Sequence, residues 1–181
     1  MIPNIALIGF MGCGKTSVGR CLAARTGYNF VDTDDLVAEK AGKPVAEIFA
    51  AEGEGAFRVM EREVLQGLVG QKRMILSTGG GLILEPVNRE ALRRMGIVAW
   101  LDADPDLLFE RASRSGRRPL LQTDTPKESF HQLLESRIAI YSDASDFRVD
   151  STALDHTQTA EAILESLGRH PRRFAFDETP A

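Results

Sequence analysis

One stretch near the start constrains the fold more than any other: Ile5-Ala6-Leu7-Ile8-Gly9-Phe10-Met11-Gly12-Cys13-Gly14-Lys15-Thr16-Ser17. Its four leading apolar residues, two of them β-branched, read as a short buried strand. A glycine-rich turn follows, and residues 14–24 then read as a helix. Gly9, Gly14, Lys15 and Thr16 fit G-x-x-x-x-G-K-[ST] in the strand–loop–helix context that the motif requires. Glycines let the backbone curl until successive N–H groups share one concavity, and the helix opening there adds its own unpaired N–H groups and dipole. That places Gly12, Cys13, Gly14, Lys15, Thr16 and Ser17 around the phosphates of a nucleoside triphosphate. Lys15 reaches the β- and γ-phosphates, and the Thr16 hydroxyl can ligate Mg²⁺. At ordinary glycine usage, a chance match in a chain this long has odds on the order of one per cent.

With 181 residues and 43% hydrophobic content, the chain suits one well-packed core. Its 26 acidic and 22 basic residues give a net charge of −4, which argues against a nucleic-acid binder. No apolar run approaches a membrane span and no signal pattern precedes the first strand. The only cysteines, Cys13 and Cys21, lie too far apart along one loop–helix segment for a disulfide. Free thiols and no leader predict a cytoplasmic protein, with a monomer as the default.

Further strands are expected at 28–31, 74–77, 97–101 and 147–149, and helices at about 36–40, 45–51, 54–69, 88–95, 105–112, 126–140 and 157–167. Gly27, Gly42 and Gly168 are expected to end helices, and Asn88 and Asp104 to begin them. Strands alternating with helices predict an α/β fold, a doubly wound parallel sheet with helices on both faces. Ligands of such sheets bind beyond the carboxyl ends of the strands. Residues 9–15, 32–34 and 77–81 all follow strands, so they should converge on one crevice.

Several groups there could do chemistry. Asp32 and Asp34 follow a strand end: one can serve Mg²⁺ and the other a substrate hydroxyl, or both can merely cap the next helix. Gly79, Gly80 and Gly81 lose much backbone entropy on ordering. Either a tight turn or a close approach of backbone N–H groups to a ligand would explain them. Arg137 falls inside the apolar stripe Phe130, Leu133, Leu134, Ile138, Tyr141 and needs either a structural carboxylate or an anionic ligand. Arg58 flanks the stripe of another helix and by pattern alone reads as a surface residue. The basic segment 113–124 reads as a solvated loop or as a flap that excludes water over the phosphates. Cys13 lies beside a helix N-terminus and a lysine, so its alkylation should inactivate, with MgATP protecting.

Taken together, the chain resembles the shikimate kinase family over about residues 4–168. The resemblance rests on the phosphate loop, Asp32-Thr33-Asp34, Phe57-Arg58 with Glu61, Gly79-Gly80-Gly81, Arg118-Pro119-Leu120-Leu121, and Arg137 with Tyr141, in that family's order and spacing. It implies a P-loop kinase fold of the nucleoside monophosphate kinase type, with a five-stranded parallel sheet. Residues 1–168 would form one domain, with a substrate-binding helical region at about 33–61 and a mobile lid at about 112–124; residues 169–181 would form a mobile tail. The implied reaction moves the γ-phosphoryl of MgATP to the 3-hydroxyl of shikimate, in aromatic amino-acid biosynthesis. Arg58 and Arg137 would clamp the shikimate carboxylate. Asp34 would orient or deprotonate the attacking hydroxyl, with backbone at Gly79, Gly80 and Gly81 assisting. Thr16 and Asp32 would serve Mg²⁺, and Lys15 and Arg118 would neutralise the transferring phosphoryl. The segment 151–154, where the family contacts adenine, lacks the basic residue sometimes seen. Two rivals stay open: another hydroxy-acid kinase of this fold, such as a gluconate kinase, and a non-catalytic binding protein.

Overall fold

A strand without polar alternation must be covered on both faces. In the computed structural model, which describes residues 4–114 and 124–169, that holds for β1 (Asn4–Ile8), where all five residues are buried. Fully burying an aliphatic side chain such as Ile5, Leu7 or Ile8 contributes about 1.5–3 kcal/mol, so this strand anchors the core. The other strands are β2 (Asn29–Asp32), β3 (Met74–Ser77), β4 (Gly96–Asp102) and β5 (Phe147–Asp150). They form one five-stranded parallel sheet in the order β2-β3-β1-β4-β5.

That order matters for function. β2, β3 and β1 are neighbours, and Asp32 is level with Ser77, which is level with Leu7. The segments leaving these three strands therefore start side by side. Hydrogen bonds lace them together: Thr78 Oγ1 donates to the Leu7 carbonyl at 3.0 Å, and the Gly79 N–H donates to Thr33 Oγ1 at 2.9 Å.

The helices are α1 (Lys15–Thr26), α2 (Thr33–Ala41), α3 (Val45–Leu68), α4 (Pro86–Met95), α5 (Pro105–Ser113), α6 (Pro126–Ala144) and α7 (His156–Arg169), with a 3₁₀ turn at Leu82–Leu84. Gly27 and Gly42 close α1 and α2 in left-handed conformation, as expected. Asp104 caps α5 by accepting from the N–H groups of Asp106 and Leu107. The two expected helices at 45–51 and 54–69 join into α3 across a kink at Gly53, where φ is 81°. A second, smaller apolar cluster of Val37, Ile48 and Phe57 holds α2 against α3.

Four expectations are corrected. Asn88 does not cap α4. Proline opens that helix at Pro86, and Asn88 is buried inside it, donating to the Leu82 carbonyl at 3.0 Å. Gly168 does not end α7, which continues to Arg169. α6 runs past residue 140 to Ala144 because Tyr141 and Ala144 extend its buried face. Ile138 is not in that face: it is 43% exposed, whereas Arg137 is 6% exposed. No described helix is long and apolar enough to cross a membrane. Arg118 and most of the expected lid, residues 115–123, lie outside the described residues, as does the expected tail beyond Arg169.

Candidate active site

One cleft at the carboxyl ends of β1, β2 and β3 gathers residues from all three expected loops and from α3 and α6. At one end stands the phosphate loop. Gly12 there has φ of 87°, and a Cβ at this position would collide with the Leu108 carbonyl of α5. A larger residue would strain the turn and push the loop from α5. Gly14, also at positive φ, precedes the first residue of α1, so the helix N-terminus opens toward the cleft. The Lys15 ammonium donates to the Gly9 carbonyl at 2.7 Å and the Phe10 carbonyl at 3.1 Å, and lies 3.4 Å from Cys13 Sγ. Cys13 is a free thiol and is buried, which closes the direct route to the alkylating reagent expected from sequence.

Asp32 caps the next helix, as one of the expected alternatives had it, and also reaches the phosphate loop. Its Oδ1 accepts from the Asp34 N–H at 3.1 Å, capping α2, and its Oδ2 accepts from Thr16 Oγ1 at 2.9 Å. A hydroxyl and a carboxylate are thus paired at the mouth of the phosphate loop. They are hard oxygen donors of the kind that Mg²⁺ prefers. The cap also holds the first turn of α2, and so the backbone from which Asp34 reaches the cleft.

The other end of the cleft is built from side chains. Arg58 pairs with Glu54 at 2.7 Å and with Glu61 one turn along α3. Burial alone would lower the Arg58 pKa, but the two carboxylates outweigh it and hold it above its usual value. Glu61 is fully buried, and its Oε1 has no hydrogen-bond partner among the described residues. Burial pushes its carboxyl up to about 7; Arg58 works against that shift, and neighbouring Asp34 adds to it. The triple-glycine turn explains itself here. A Cβ at Gly79 would meet the carboxylates of Glu61 and Asp34, and one at Gly81 would meet the Arg58 guanidinium. Glycine at 79 and 81 leaves room for these three side chains, whereas a Cβ at Gly80 would make only ordinary contacts of 3.5–3.9 Å.

Arg137 closes this end. Its Nη1 donates to the Gly80 carbonyl at 3.3 Å, and its guanidinium lies 5.5 Å from the centroid of the Phe10 ring. It forms no ion pair with any described residue. A buried cation without a carboxylate favours the ligand alternative over the structural one. The cleft continues past Gly14 to Arg111, Arg114, Leu154, Asp155 and His156. Of the stretch 151–154, only Leu154 lines it.

The structure thus brings together Gly12, Gly14, Lys15, Thr16, Ser17, Asp32, Asp34, Arg58, Gly79, Gly80, Gly81 and Arg137. Sequence reasoning gave no role to Glu61 or to Tyr141. Glu61 did carry the signal that exposed Arg137: it lies four residues after Phe57, inside the apolar face of its helix.

A mononucleotide-type phosphate loop joined to a pocket that combines arginines with a carboxylate defines a P-loop kinase acting on a small molecule. Comparison with known proteins agrees. The solved shikimate kinase from Acinetobacter baumannii, in complex with shikimate, superposes with a TM-score of 0.91 at 37% identity, covering 95% of this chain and 96% of that one. The Aquifex aeolicus shikimate kinase gives a TM-score of 0.82 at 32% identity, covering 94% of this chain and 99% of that one. A deoxyadenosine kinase from M. mycoides shares the fold, with a TM-score of 0.59 at 20% identity, covering 92% of this chain and 99% of that one. The shikimate kinase of Symbiobacterium thermophilum is 45% identical over 172 residues, 94% of this chain and 99% of that protein. The model of the shikimate kinase family matches residues 11–168. The chain belongs to the shikimate kinase family.

Proposed function

We propose that this chain transfers the γ-phosphoryl group of ATP to the 3-hydroxyl of shikimate, giving shikimate 3-phosphate for aromatic amino-acid biosynthesis. The observation that carries the reading is Arg137, a buried guanidinium with no carboxylate partner among the described residues, which lines the same cleft as Arg58. Two arginines can grip one carboxylate in a fixed plane. With the acid anchored there, the hydroxyl that reacts is chosen by its distance from the anchor, and positioning supplies much of the rate.

In this reading Asp34 accepts the hydroxyl proton or orients its lone pair, on backbone held by the Asp32 cap. Lys15, with the N–H groups of the loop and of α1, stabilises charge gathering on the transferring phosphoryl. The residues 79–81 present backbone to the acid, with Glu61, Asp34 and Arg58 packed close to Gly79 and Gly81. Thr16 and Asp32 fit Mg²⁺, which neutralises charge on the β- and γ-phosphates when bound. Arg118 takes its place in this scheme from the sequence resemblance. The acidic net charge of −4 and the two free cysteines support a small-molecule enzyme of the cytoplasm, and we take it to act as a monomer without nucleic acid.

The test is ATP consumption in a coupled assay with shikimate beside gluconate, quinate and nucleoside monophosphates. Turnover with shikimate and not with the others is expected. Turnover with a different acid would keep the phosphate loop and remove the proposed pairing of Arg58 with Arg137. No turnover with any acceptor would point to a non-catalytic binding protein.

A further inference from the structure

Tyr141 takes no part in the scheme above, yet it occupies a singular position. It lies on α6 one turn beyond Arg137 and is completely buried. Its hydroxyl donates to the Gly80 carbonyl at 2.6 Å, the same oxygen that accepts from Arg137 Nη1 at 3.3 Å. A carbonyl has two lone pairs, so it can serve both donors at once. The tyrosine bond is the shorter of the two, and its ring is held against Trp100 of β4, centroids 5.9 Å apart and planes 18° from parallel. Burial holds the phenol above its usual pKa, so it stays a donor at neutral pH.

We infer that Tyr141 is a positioning residue for the acid-binding end of the cleft: its hydroxyl pins the Gly80 carbonyl and so sets Arg137 and the glycine turn in register with one another. The inference rests on the proposed binding of shikimate at Arg58 and Arg137. It deepens that reading by saying what holds the second arginine. A guanidinium has five N–H donors in a rigid fork, so fixing one of them on an immobile acceptor fixes where the others point. Because the peptide is planar and trans, pinning the Gly80 carbonyl also sets the direction of the Gly81 N–H, which is opposed to it. Neither the Gly80 nor the Gly81 N–H hydrogen-bonds within the described residues. The turn itself touches the phosphate loop, since a Cβ at Gly80 would lie 3.5 Å from the Gly9 carbonyl and 3.7 Å from the Tyr141 hydroxyl.

The test is Tyr141→Phe in the full chain, which keeps the ring and removes only the donor. The expected result is a KM for shikimate raised about tenfold, the value of one hydrogen bond, with kcat and the KM for ATP within about twofold of wild type. An unchanged KM for shikimate overturns the inference. So does a parallel rise in both KM values with a lowered Tm, which is what a merely structural tyrosine would give. A second measurement needs no variant. Trp100 is the only tryptophan, so its emission reports the stack. Shikimate, and not ATP alone, should change wild-type emission; no change with shikimate overturns the inference even if the variant fails to fold. If wild type does not turn over shikimate, the proposed function falls and this inference with it. If wild type turns over and the variant's KM is unmoved, only this inference falls.

Discussion

The two ends of the cleft solve the same problem, holding an anion, by opposite means. At the phosphate end the donors are backbone N–H groups of one short loop and of the helix that follows it, with a single lysine that leans on the loop's own carbonyls. At the acid end the donors are side chains from α3 and α6, assembled around the glycine turn, with the charge of Arg58 balanced by Glu54 and Glu61. A backbone site is cheap to keep because its dipoles carry no net charge that must be desolvated. A side-chain site can be matched to one acid, but each buried charge then needs its own compensation. In the proposed scheme the difference teaches where specificity resides: the first end would take the phosphates of a nucleotide, and the second would discriminate among acceptors.

Asp34→Asn should break the coupling between the ends most severely. Losing the carboxylate at the hydroxyl should cut kcat by roughly 10³-fold, in the usual range for a general base, with ATP affinity nearly unchanged. Steady-state kinetics beside a nucleotide-binding titration decide this, and equal losses in both would remove Asp34 from its role. Arg137→Ala comes next. The KM for shikimate should rise by roughly 10²-fold, while Tm and the KM for ATP stay near wild type. A variant that unfolds instead would show that Arg137 is structural, its bond to the Gly80 carbonyl and its contact with Phe10 being what the fold needs.

Glu61→Gln is the mildest change and sharpens the contrast in a different observable. Burial raises the folded-state carboxyl of Glu61 from the usual 4.5 to about 7. The folded protein therefore keeps a proton that the unfolded chain releases above pH 4.5. The associated stability is complete below that pH and is lost as pH rises through 7. Urea denaturation of wild type should show this loss between about pH 5 and 8, and the glutamine variant should lack that component. Identical pH profiles would mean that Arg58 compensates Glu61 fully.

The same contrast explains what could be read in the sequence. The phosphate loop is contiguous, and its spacing is set by backbone geometry, so strand, turn and helix announced themselves together. The sheet was legible because β1, β3 and β4 are apolar along most of their length. The acid end is discontinuous, and its logic depends on which face of a helix each residue occupies. Arg137 stood out as a charge among apolar neighbours. Ile138, one residue on, looked like core and is exposed, because the buried face follows positions 130, 134, 137, 141 and 144. Tyr141 bonds a carbonyl 61 residues away, so no local pattern could assign it a partner, whereas Glu61 pairs with Arg58 at a spacing that a helix reading offers. Asn88 misled for a related reason: a capping residue type lay just inside a helix already started by Pro86, and its side chain instead ties the helix to the preceding turn.

Phe10 belongs to the phosphate loop, yet its ring carries the guanidinium of Arg137 and meets Phe130 of α6 edge-on at 4.9 Å. The wall behind the acid is thus a piece of the nucleotide site. Whatever free energy nucleotide binding invests in moving that ring is returned as a changed affinity for the acid, and thermodynamic reciprocity requires the acid to alter nucleotide affinity by the same factor. In the proposed scheme, any displacement of that one phenyl ring on nucleotide binding would couple the two ligands, with the sign set by which way the loop moves it.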